Sequence, residues 1–136
     1  MSGESRQKAY HTESIAVTFE AGRCLHAAEC VRGLPEVFDP EKRPWIRPDQ
    51  ASAGDLAEVV RRCPSGALKY AFEDGRREDP DRPTTITRGP TGQLTVRGEL
   101  RVDTEQGPSE ETRAVLCGCA QSRSLPYCDH AGPCGR

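Results

Sequence analysis

Residues 52–64, which read SAGDLAEVVRRCP, predict a helix that ends at a cysteine. The serine at the start and the aspartate three residues later form a helix-capping pattern. Apolar side chains then recur at the helical spacing i, i+3 and i+4, and Cys63 occupies the i+7 position of the same face. Pro64 lacks the backbone N–H that a continuing helix needs. We therefore expect a helix over residues 53–62 that places Cys63 at its carboxyl end.

Strand patterns lie on both sides of this helix. Residues 15–19 alternate apolar and polar side chains, which is typical of a half-buried strand, and residues 68–72 read as a return strand. Residues 43–48 are too rich in proline for a helix, so we expect an extended segment with Trp45 against one side of the small core. The polar residues 1–13 are expected to form a disordered tail.

The second half of the chain reads as a small β-rich unit. Residues 73–83 are almost all charged or turn-forming, which favours a linker, although the same pattern suits a solvated loop inside one domain. Beyond it, glycine and proline residues separate four short strand candidates, at residues 84–87, 93–96, 100–102 and 114–116. We therefore predict an α+β protein with two small units, residues 14–72 and residues 84–136.

The composition of the chain restricts the classes of function. It has 136 residues, of which 35% are hydrophobic and seven are cysteine. The formal net charge of −2 gives no electrostatic basis for binding nucleic acid, and no apolar run is long enough to cross a bilayer. Residues 1–12 lack the apolar stretch of a signal peptide, so we expect a cytoplasmic protein with reduced thiols. An odd number of reduced cysteines in a thinly packed chain indicates metal ligands rather than disulfides.

The first cysteine set consists of Cys24, Cys30 and Cys63, and it ends in a Cys-Pro pair. Bacterial ferredoxins likewise combine cysteines on a loop with one remote Cys-Pro. The alternative is three buried cysteines without a metal. The segment of residues 15–72 resembles the divergent single-cluster ferredoxin domain, which implies an iron–sulfur cluster, usually [4Fe–4S]. The resemblance rests on Cys24, His26, Cys30, Val31–Gly33, Val37, Phe38, Arg43–Ile46, Pro48 and Cys63–Leu68.

The fourth ligand of this first set is open. The position three residues after Cys24, where an ordinary ferredoxin has a ligand cysteine, is Ala27. Three thiolates suit a [3Fe–4S] cluster, or a [4Fe–4S] cluster that takes His26 as its fourth ligand, because imidazole can replace thiolate on iron. Equally, His26 could donate a hydrogen bond to a sulfur or a carbonyl without binding iron.

The second cysteine set lies in residues 117–134, which read CGCAQSRSLPYCDHAGPC. Two cysteines one residue apart can hold one iron, and a second iron then needs ligands from the far end of the loop. The pattern C-x-C-x2-S-x3-P-x-C-D resembles the CDGSH-type iron–sulfur family. It implies that residues 84–136 form a small β-rich domain with a [2Fe–2S] cluster. Three ligands of this cluster would be Cys117, Cys119 and Cys128.

The fourth ligand of the second set is also open. In that family a histidine lies four residues after the third cysteine, and here that position is Gly132. His130 lies two residues earlier and Cys134 two residues later. We favour Cys134, because the preceding Gly-Pro pair provides a turn back towards the cluster and because all seven cysteines would then be ligands. Four thiolates would also suit zinc, although a C-x2-C start is more usual for zinc.

The two cysteine sets determine the interpretation of function. No serine–histidine–aspartate set, phosphate loop or paired-carboxylate pattern stands out, so we expect that the protein is not an enzyme. We expect a carrier of two clusters, [4Fe–4S] or [3Fe–4S] together with [2Fe–2S], that transfers single electrons between redox protein partners. One alternative is a sensor of iron or redox state, or a donor of clusters to apo-protein acceptors. Another is a structural zinc-binding protein whose metals only hold a small fold together.

Overall fold

Two three-stranded antiparallel sheets and a few short helices form the structure, a computed structural model that describes residues 7–25, 28–122 and 125–129. The strands are β1 (Gln7–His11), β2 (Ile15–Glu20), β3 (Leu68–Phe72), β4 (Thr85–Arg88), β5 (Leu94–Thr104) and β6 (Gly107–Leu116). The helices are α1 (Glu29–Gly33) and α2 (Ala53–Val60), with 3₁₀ turns at Ala21–Arg23 and Pro48–Gln50. The strand orders are β1-β2-β3 and β4-β5-β6. This architecture agrees with the α+β class predicted from the sequence.

The first sheet corrects the prediction for the amino-terminal tail. The sequence predicts disorder over residues 1–13, but Gln7–His11 form β1 and pair with β2 along their whole length. The expectation of disorder is therefore wrong for these residues. Four of the five β1 residues are exposed, and only Tyr10 is partly buried. Backbone hydrogen bonds to β2, rather than a buried apolar face, hold this edge strand. Such bonds require no alternation of apolar side chains, so the sequence pattern does not reveal the strand.

The core lies between the first sheet and α2. The strands predicted at residues 15–19 and 68–72 are confirmed as β2 and β3, which pair antiparallel. The helix predicted over residues 53–62 is confirmed as α2, and the Asp55 backbone N–H donates to the Ser52 hydroxyl at 3.1 Å, as the capping pattern predicts. The buried residues of this core are Ile15, Val17, Val37, Phe38, Ile46, Leu56, Ala57, Val59, Val60 and Leu68.

Both helices are short. The regular part of α2 ends at Val60, and the Cys63 N–H donates to the Val60 carbonyl at 3.1 Å, which tightens the chain after the helix. The sequence did not predict α1, which contains Cys30, because five residues are too few to show a helical period. Among the residues that the structure describes, no helix has both the length and the apolar character needed to cross a membrane.

The strands of the second sheet are longer than the sequence predicts. Two predicted strands, 93–96 and 100–102, belong to the single strand β5, which passes through Gly98. The pairing of β5 with β6 shifts register at this point, so the glycine marks a β-bulge rather than a turn. The predicted strand 84–87 corresponds to β4, and the predicted strand 114–116 is the end of β6.

Residues 73–83 are held by specific contacts. Arg77 forms an isolated antiparallel bridge with Ala71. The Glu78 side chain is only 9% exposed and lies 2.8 Å from the guanidinium of Arg113 on β6. The division of the chain into two units at this segment stays a prediction, but the segment itself contributes a buried charge to the contact between the sheets.

A second buried charge also connects the sheets. The Glu111 side chain on β6 is 1% exposed, and its Oε1 lies 3.0 Å from Arg23 Nη1 and 3.0 Å from Lys69 Nζ on β3. The Ser109 hydroxyl donates to the same carboxylate. Burial by itself raises the pKa of the Glu111 carboxyl, but the two positive charges and the hydrogen bonds outweigh burial and hold the pKa below its ordinary value.

We predict that Glu111→Gln destabilises the fold most strongly at neutral pH. The change leaves Arg23 buried without its nearest anion, which costs about 3–5 kcal/mol. Because folding lowers the pKa of Glu111, its contribution to stability is present above the ordinary glutamate pKa and is lost as the pH falls through the lower folded value. Chemical denaturation should therefore show a difference in unfolding free energy that is largest near pH 7 and shrinks below about pH 4.

The matched control is Glu110→Gln, which changes the exposed neighbouring residue of the same strand. It should leave the unfolding free energy unchanged at every pH. A Glu111→Gln penalty that is equally large in acid and at neutral pH would contradict the electrostatic explanation.

Candidate metal centre

The structure brings Cys24, Cys30 and Cys63 to one pocket beside the first sheet. Cys24 follows the turn Ala21–Arg23, Cys30 lies in α1, and Cys63 follows α2. All three residues are partly buried and carry free thiols. Three separate elements therefore bring cysteine thiols to the same place.

The rest of the pocket wall is mostly apolar. Phe19, Leu25, Trp45 and Leu68 are among the residues that line it. The rings of Phe19 and Trp45 meet edge to face with their centroids 4.9 Å apart. Trp45 thus covers the pocket and at the same time packs against the core, as expected from its proline-rich segment. An apolar wall of this kind limits the access of water to a bound metal and tunes its potential.

The surroundings of Cys30 oppose ionisation of its thiol. Burial, with the added repulsion of Cys63 and Cys24, raises the pKa of the Cys30 thiol to about 11. A bound iron group supplies positive charge that favours the thiolates, and binding then releases the protons. The donor set and its surroundings therefore fit a thiolate-ligated cluster.

The turn after Cys63 has a tightly specified backbone. Ser65 Oγ lies 3.6 Å from Cys63 Sγ, and the Ala67 N–H donates to the same hydroxyl at 3.2 Å. Gly66 has a φ of +76°, and a Cβ at this position would lie 2.5 Å from the Arg113 carbonyl oxygen. Glycine is therefore required here both for the left-handed conformation and for the close approach of β6.

Two buried arginines contact this turn, and the sequence analysis missed both. Arg113 donates to the Cys63 carbonyl at 2.6 Å, and Arg23 donates to the Ser65 carbonyl at 2.5 Å. Their partners lie 50 and 42 positions away in the sequence, so no local pattern reveals them. The one available signal is strand alternation, which places Arg113 on the same buried face of β6 as Val115.

A short antiparallel pairing assembles the second cysteine set. The Cys117 N–H donates to the Pro126 carbonyl, and the Cys128 N–H donates to the Val115 carbonyl, both at 2.8 Å. This pairing places Cys128 beside the end of β6, where it is 2% exposed. The sulfurs of Cys117 and Cys119 lie 3.7 Å apart. Three thiols therefore gather at one end of the second sheet.

Backbone amides face the sulfur of Cys117. Burial by itself raises the pKa of this thiol, but the N–H groups of Cys119, Ser122 and Gln121, with the Cys119 thiol, lower it to about 7. Amides directed at sulfur favour the thiolate, and hydrogen bonds to sulfur also tune iron–sulfur clusters. The Ser122 hydroxyl donates to the Tyr127 carbonyl at 2.5 Å and so joins the two ends of the loop.

The glycine between the first two cysteines of this set lies against the β4–β5 turn. A Cβ on Gly118 would overlap the carbonyl group of Gly92. The absence of a side chain therefore allows the Cys-Gly-Cys segment to rest directly on that turn.

The two cysteine sets are neighbours. Leu25 lines the pocket of the first set and also packs against Val115 and Cys128 in the second. The guanidinium of Arg23 lies over the Tyr127 ring, 4.1 Å from its centroid, which is a cation–π distance. Each set therefore contacts the other through residues adjacent in sequence to its own cysteines.

Three predicted ligands, His26, His130 and Cys134, lie outside the described residues. Within the described ranges, no three histidine, cysteine, aspartate or glutamate side chains meet at the spacing of a single metal ion. A four-iron cluster attaches its thiolates to separate irons and so accepts a wider spacing. The six cysteines that the structure describes are free thiols rather than disulfides, as the sequence predicts.

Comparisons with known proteins concern the first cysteine set. Residues 10–73 match the family described as divergent 4Fe–4S mono-cluster. The chain is 41% identical over 63 residues to "Uncharacterized protein YjdI" of Escherichia coli strain K12, a match that covers 46% of this chain and 83% of that protein. YjdI of Escherichia coli O157:H7 matches to the same extent. No solved structure matches the chain. Through the segment that contains Cys24, Cys30 and Cys63, this chain belongs to the divergent 4Fe–4S mono-cluster family.

Proposed function

We propose that this iron–sulfur protein is a small carrier of single electrons with a cluster at each of its two cysteine sets. The observation that carries the proposal is the apolar pocket at which Cys24, Cys30 and Cys63 meet. The family match supports a [4Fe–4S] cluster at this pocket. When bound, such a group supplies one-electron oxidation and reduction.

The residues of the chain have separate tasks at the first set. The three cysteines hold the group as thiolates, and Phe19 with Trp45 keeps water away from it. The buried arginines, 3% and 1% exposed, place positive charge behind the Cys63 turn. Each guanidinium is paired with a buried carboxylate, Arg23 with Glu111 and Arg113 with Glu78, so it acts on the potential as part of an ion pair and through its hydrogen bonds to the turn.

The fourth ligand of the first set distinguishes two forms of the proposal. With His26 as a ligand, the set holds [4Fe–4S], as the family description supports. Without it, three thiolates hold [3Fe–4S]. The two forms differ in the oxidation state that gives an EPR signal.

At the second set we propose a [2Fe–2S] cluster held by Cys117, Cys119 and Cys128, with Cys134 as the fourth ligand and His130 as its competitor. The support is the gathering of three thiols at the end of β6 and the lowered pKa of Cys117. A thiol with a pKa near neutrality is ready to bind metal without a large cost of deprotonation.

The proposal includes the setting in which the protein works. We propose that it is not an enzyme, that it acts in the cytoplasm, and that its partners are redox proteins rather than nucleic acids or membranes. The net charge of −2 supports a protein partner over a polyanion.

Anaerobically purified protein is expected to contain about five to six irons and six sulfides per chain, the sum of a three- or four-iron and a two-iron cluster. Cys63→Ser should retain about two irons and Cys128→Ser about three to four, because each removes a ligand from one set only. Iron, zinc and acid-labile sulfide analysis measures this, and voltammetry should show reversible one-electron reduction. The two variants are matched controls for each other.

The alternatives give distinct results in the same preparation. An EPR signal from the oxidised protein would indicate [3Fe–4S], and a signal that appears only on reduction with dithionite would indicate [4Fe–4S]. Zinc without sulfide would overturn the electron-transfer proposal in favour of a structural zinc protein. Cluster transfer to an apo-ferredoxin faster than spontaneous cluster decay would favour a cluster donor.

Gly118→Ala is expected to lower the iron content of the second set to well below half of the wild-type value, because the new methyl group displaces the Cys-Gly-Cys segment from Gly92. The [2Fe–2S] absorbance of the variant, at unchanged first-set iron, measures the effect. Gly54→Ala is the control, since a Cβ at that position meets nothing within 4 Å. Normal [2Fe–2S] absorbance in Gly118→Ala would show that this contact does not set the position of the cysteines.

We predict that Cys134→Ser loses most of the [2Fe–2S] absorbance, whereas His130→Gln retains it. The reason is that a cluster missing one of four ligands is held weakly, while loss of a residue outside the ligand set leaves all four bonds in place. Visible absorbance and iron content of the two variants, prepared in parallel, give the answer. The reverse pattern would assign the fourth ligand to His130.

A further inference from the structure

We propose that Arg113 is a positioning residue for the first cysteine set, although it lies on the second sheet. This inference rests on the proposal that Cys24, Cys30 and Cys63 hold a cluster. Arg113 does not contact the thiols themselves in the described structure. It acts on the backbone that carries Cys63.

The contacts of Arg113 enclose the chain around Cys63. Its Nη1 donates to the Val60 carbonyl at 2.9 Å and to the Cys63 carbonyl at 2.6 Å. Its Nη2 donates to the Leu68 carbonyl at 2.8 Å. One guanidinium therefore joins the end of α2, the ligand cysteine itself and the start of β3.

Each carbonyl has two lone pairs, and the Val60 and Cys63 carbonyls use one within the turn, accepting from the Cys63 N–H at 3.1 Å and the Gly66 N–H at 3.4 Å. The remaining acceptor capacity of buried carbonyls at a helix end is satisfied by donors from elsewhere in the protein. Val60 is fully buried, and the chain turns at Cys63 before it enters β3. Arg113 satisfies several of these groups at once, so it fixes the path of the backbone across the turn.

The orientation of the guanidinium is itself determined. Its Nε donates to both carboxylate oxygens of Glu78 at 3.1 Å, and Nη2 donates to Glu78 Oε1 at 2.8 Å. The Arg113 side chain is 1% exposed. A planar fork with a carboxylate on one side and carbonyls on the other cannot rotate without losing partners. Lysine, with a single ammonium group, cannot reproduce this set of contacts.

The part of the chain outside the family match supplies this support. Both Arg113 and Glu78 lie outside residues 10–73, the range matched by the divergent 4Fe–4S mono-cluster family. In this protein the second sheet therefore contributes to the geometry of a metal set whose cysteines all lie in the first half of the chain.

The test compares Arg113→Lys and Arg113→Gln with the control Arg97→Gln. Arg97 also lies in the second sheet and donates to a backbone carbonyl near the end of α2, that of Arg61, at 3.0 Å, but it does not contact the Cys63 turn. All three changes are made in the full-length protein with both cysteine sets intact, and first-set iron is followed by the EPR signal that Cys63→Ser protein lacks. The readouts are the EPR line shape, the reduction potential and the rate of iron release to a chelator.

Arg113→Lys is expected to release iron several-fold faster and to broaden the EPR signal. The reason is that it keeps the positive charge but loses the planar set of N–H donors that holds the Cys63 turn. Arg113→Gln should do the same and also lower the reduction potential, since a positive charge is removed. Arg97→Gln should match the parent in all three measurements. Variants of Arg113 that lose only thermal stability, with unchanged EPR, potential and iron release, would overturn the inference.

Glu78→Gln keeps the inference testable if the Arg113 variants fail to fold. It removes the charge that orients the guanidinium and retains the carbonyl contacts, so iron release should accelerate less than in Arg113→Lys. Unchanged iron release in this variant would overturn the inference. Absence of iron from the parent protein would overturn the proposed function, and the inference with it. This outcome is distinguished from a specific effect of the Arg113 variants because the control Arg97→Gln would lack iron as well.

Discussion

The burial of the Arg113 guanidinium is the constraint on which the contact between the two sheets depends. A guanidinium removed from water without partners would cost several kcal/mol. Here Glu78 supplies the opposite charge, and carbonyls from the end of α2 to the start of β3 accept the remaining hydrogens. Two packed apolar surfaces tolerate small shifts relative to each other, whereas a guanidinium whose N–H groups are all paired does not. Together with the pairing of Glu111 with Arg23 and Lys69, this group sets the register of β6 against the Cys63 turn.

The second sheet needs such contacts because its apolar core is small. Among the described residues, its buried cluster consists of Val115 and Cys128, while the cluster of the first sheet contains ten residues. A unit with so little buried surface needs another source of stability. The pairing of Glu111 with Arg23 and Lys69 supplies one source, and metal bound by the cysteines at the end of β6 would supply another. Metal bound at the second cysteine set would therefore link the folding of this sheet to the filling of that set.

Local features of this protein could be read from its sequence, and long-range ones could not. The capping serine, the helical period and the Cys-Pro pair identified α2 and the position of Cys63, because these signals lie within a few residues of each other. β1 was missed because an edge strand held by backbone pairing needs no apolar pattern. The bulge at Gly98 was interpreted as a break between two strands, since glycine is found both at bulges and between strands. The partners of Arg113 depend on how the sheets meet, so no spacing in the sequence reports them.

Because the two cysteine sets are neighbours, the side chains next to Cys24 also contact the second set. Arg23 immediately precedes Cys24 and lies over the ring of Tyr127, which immediately precedes Cys128. Leu25, on the other side of Cys24, packs against the cluster formed by Val115 and Cys128. Any shift of the segment that carries Cys24 must therefore move side chains that pack on the second set, since close-packed interiors transmit small displacements. The first set is thus supported from the second sheet at Cys63 through Arg113, and it contacts the second set at Cys24 through Arg23 and Leu25.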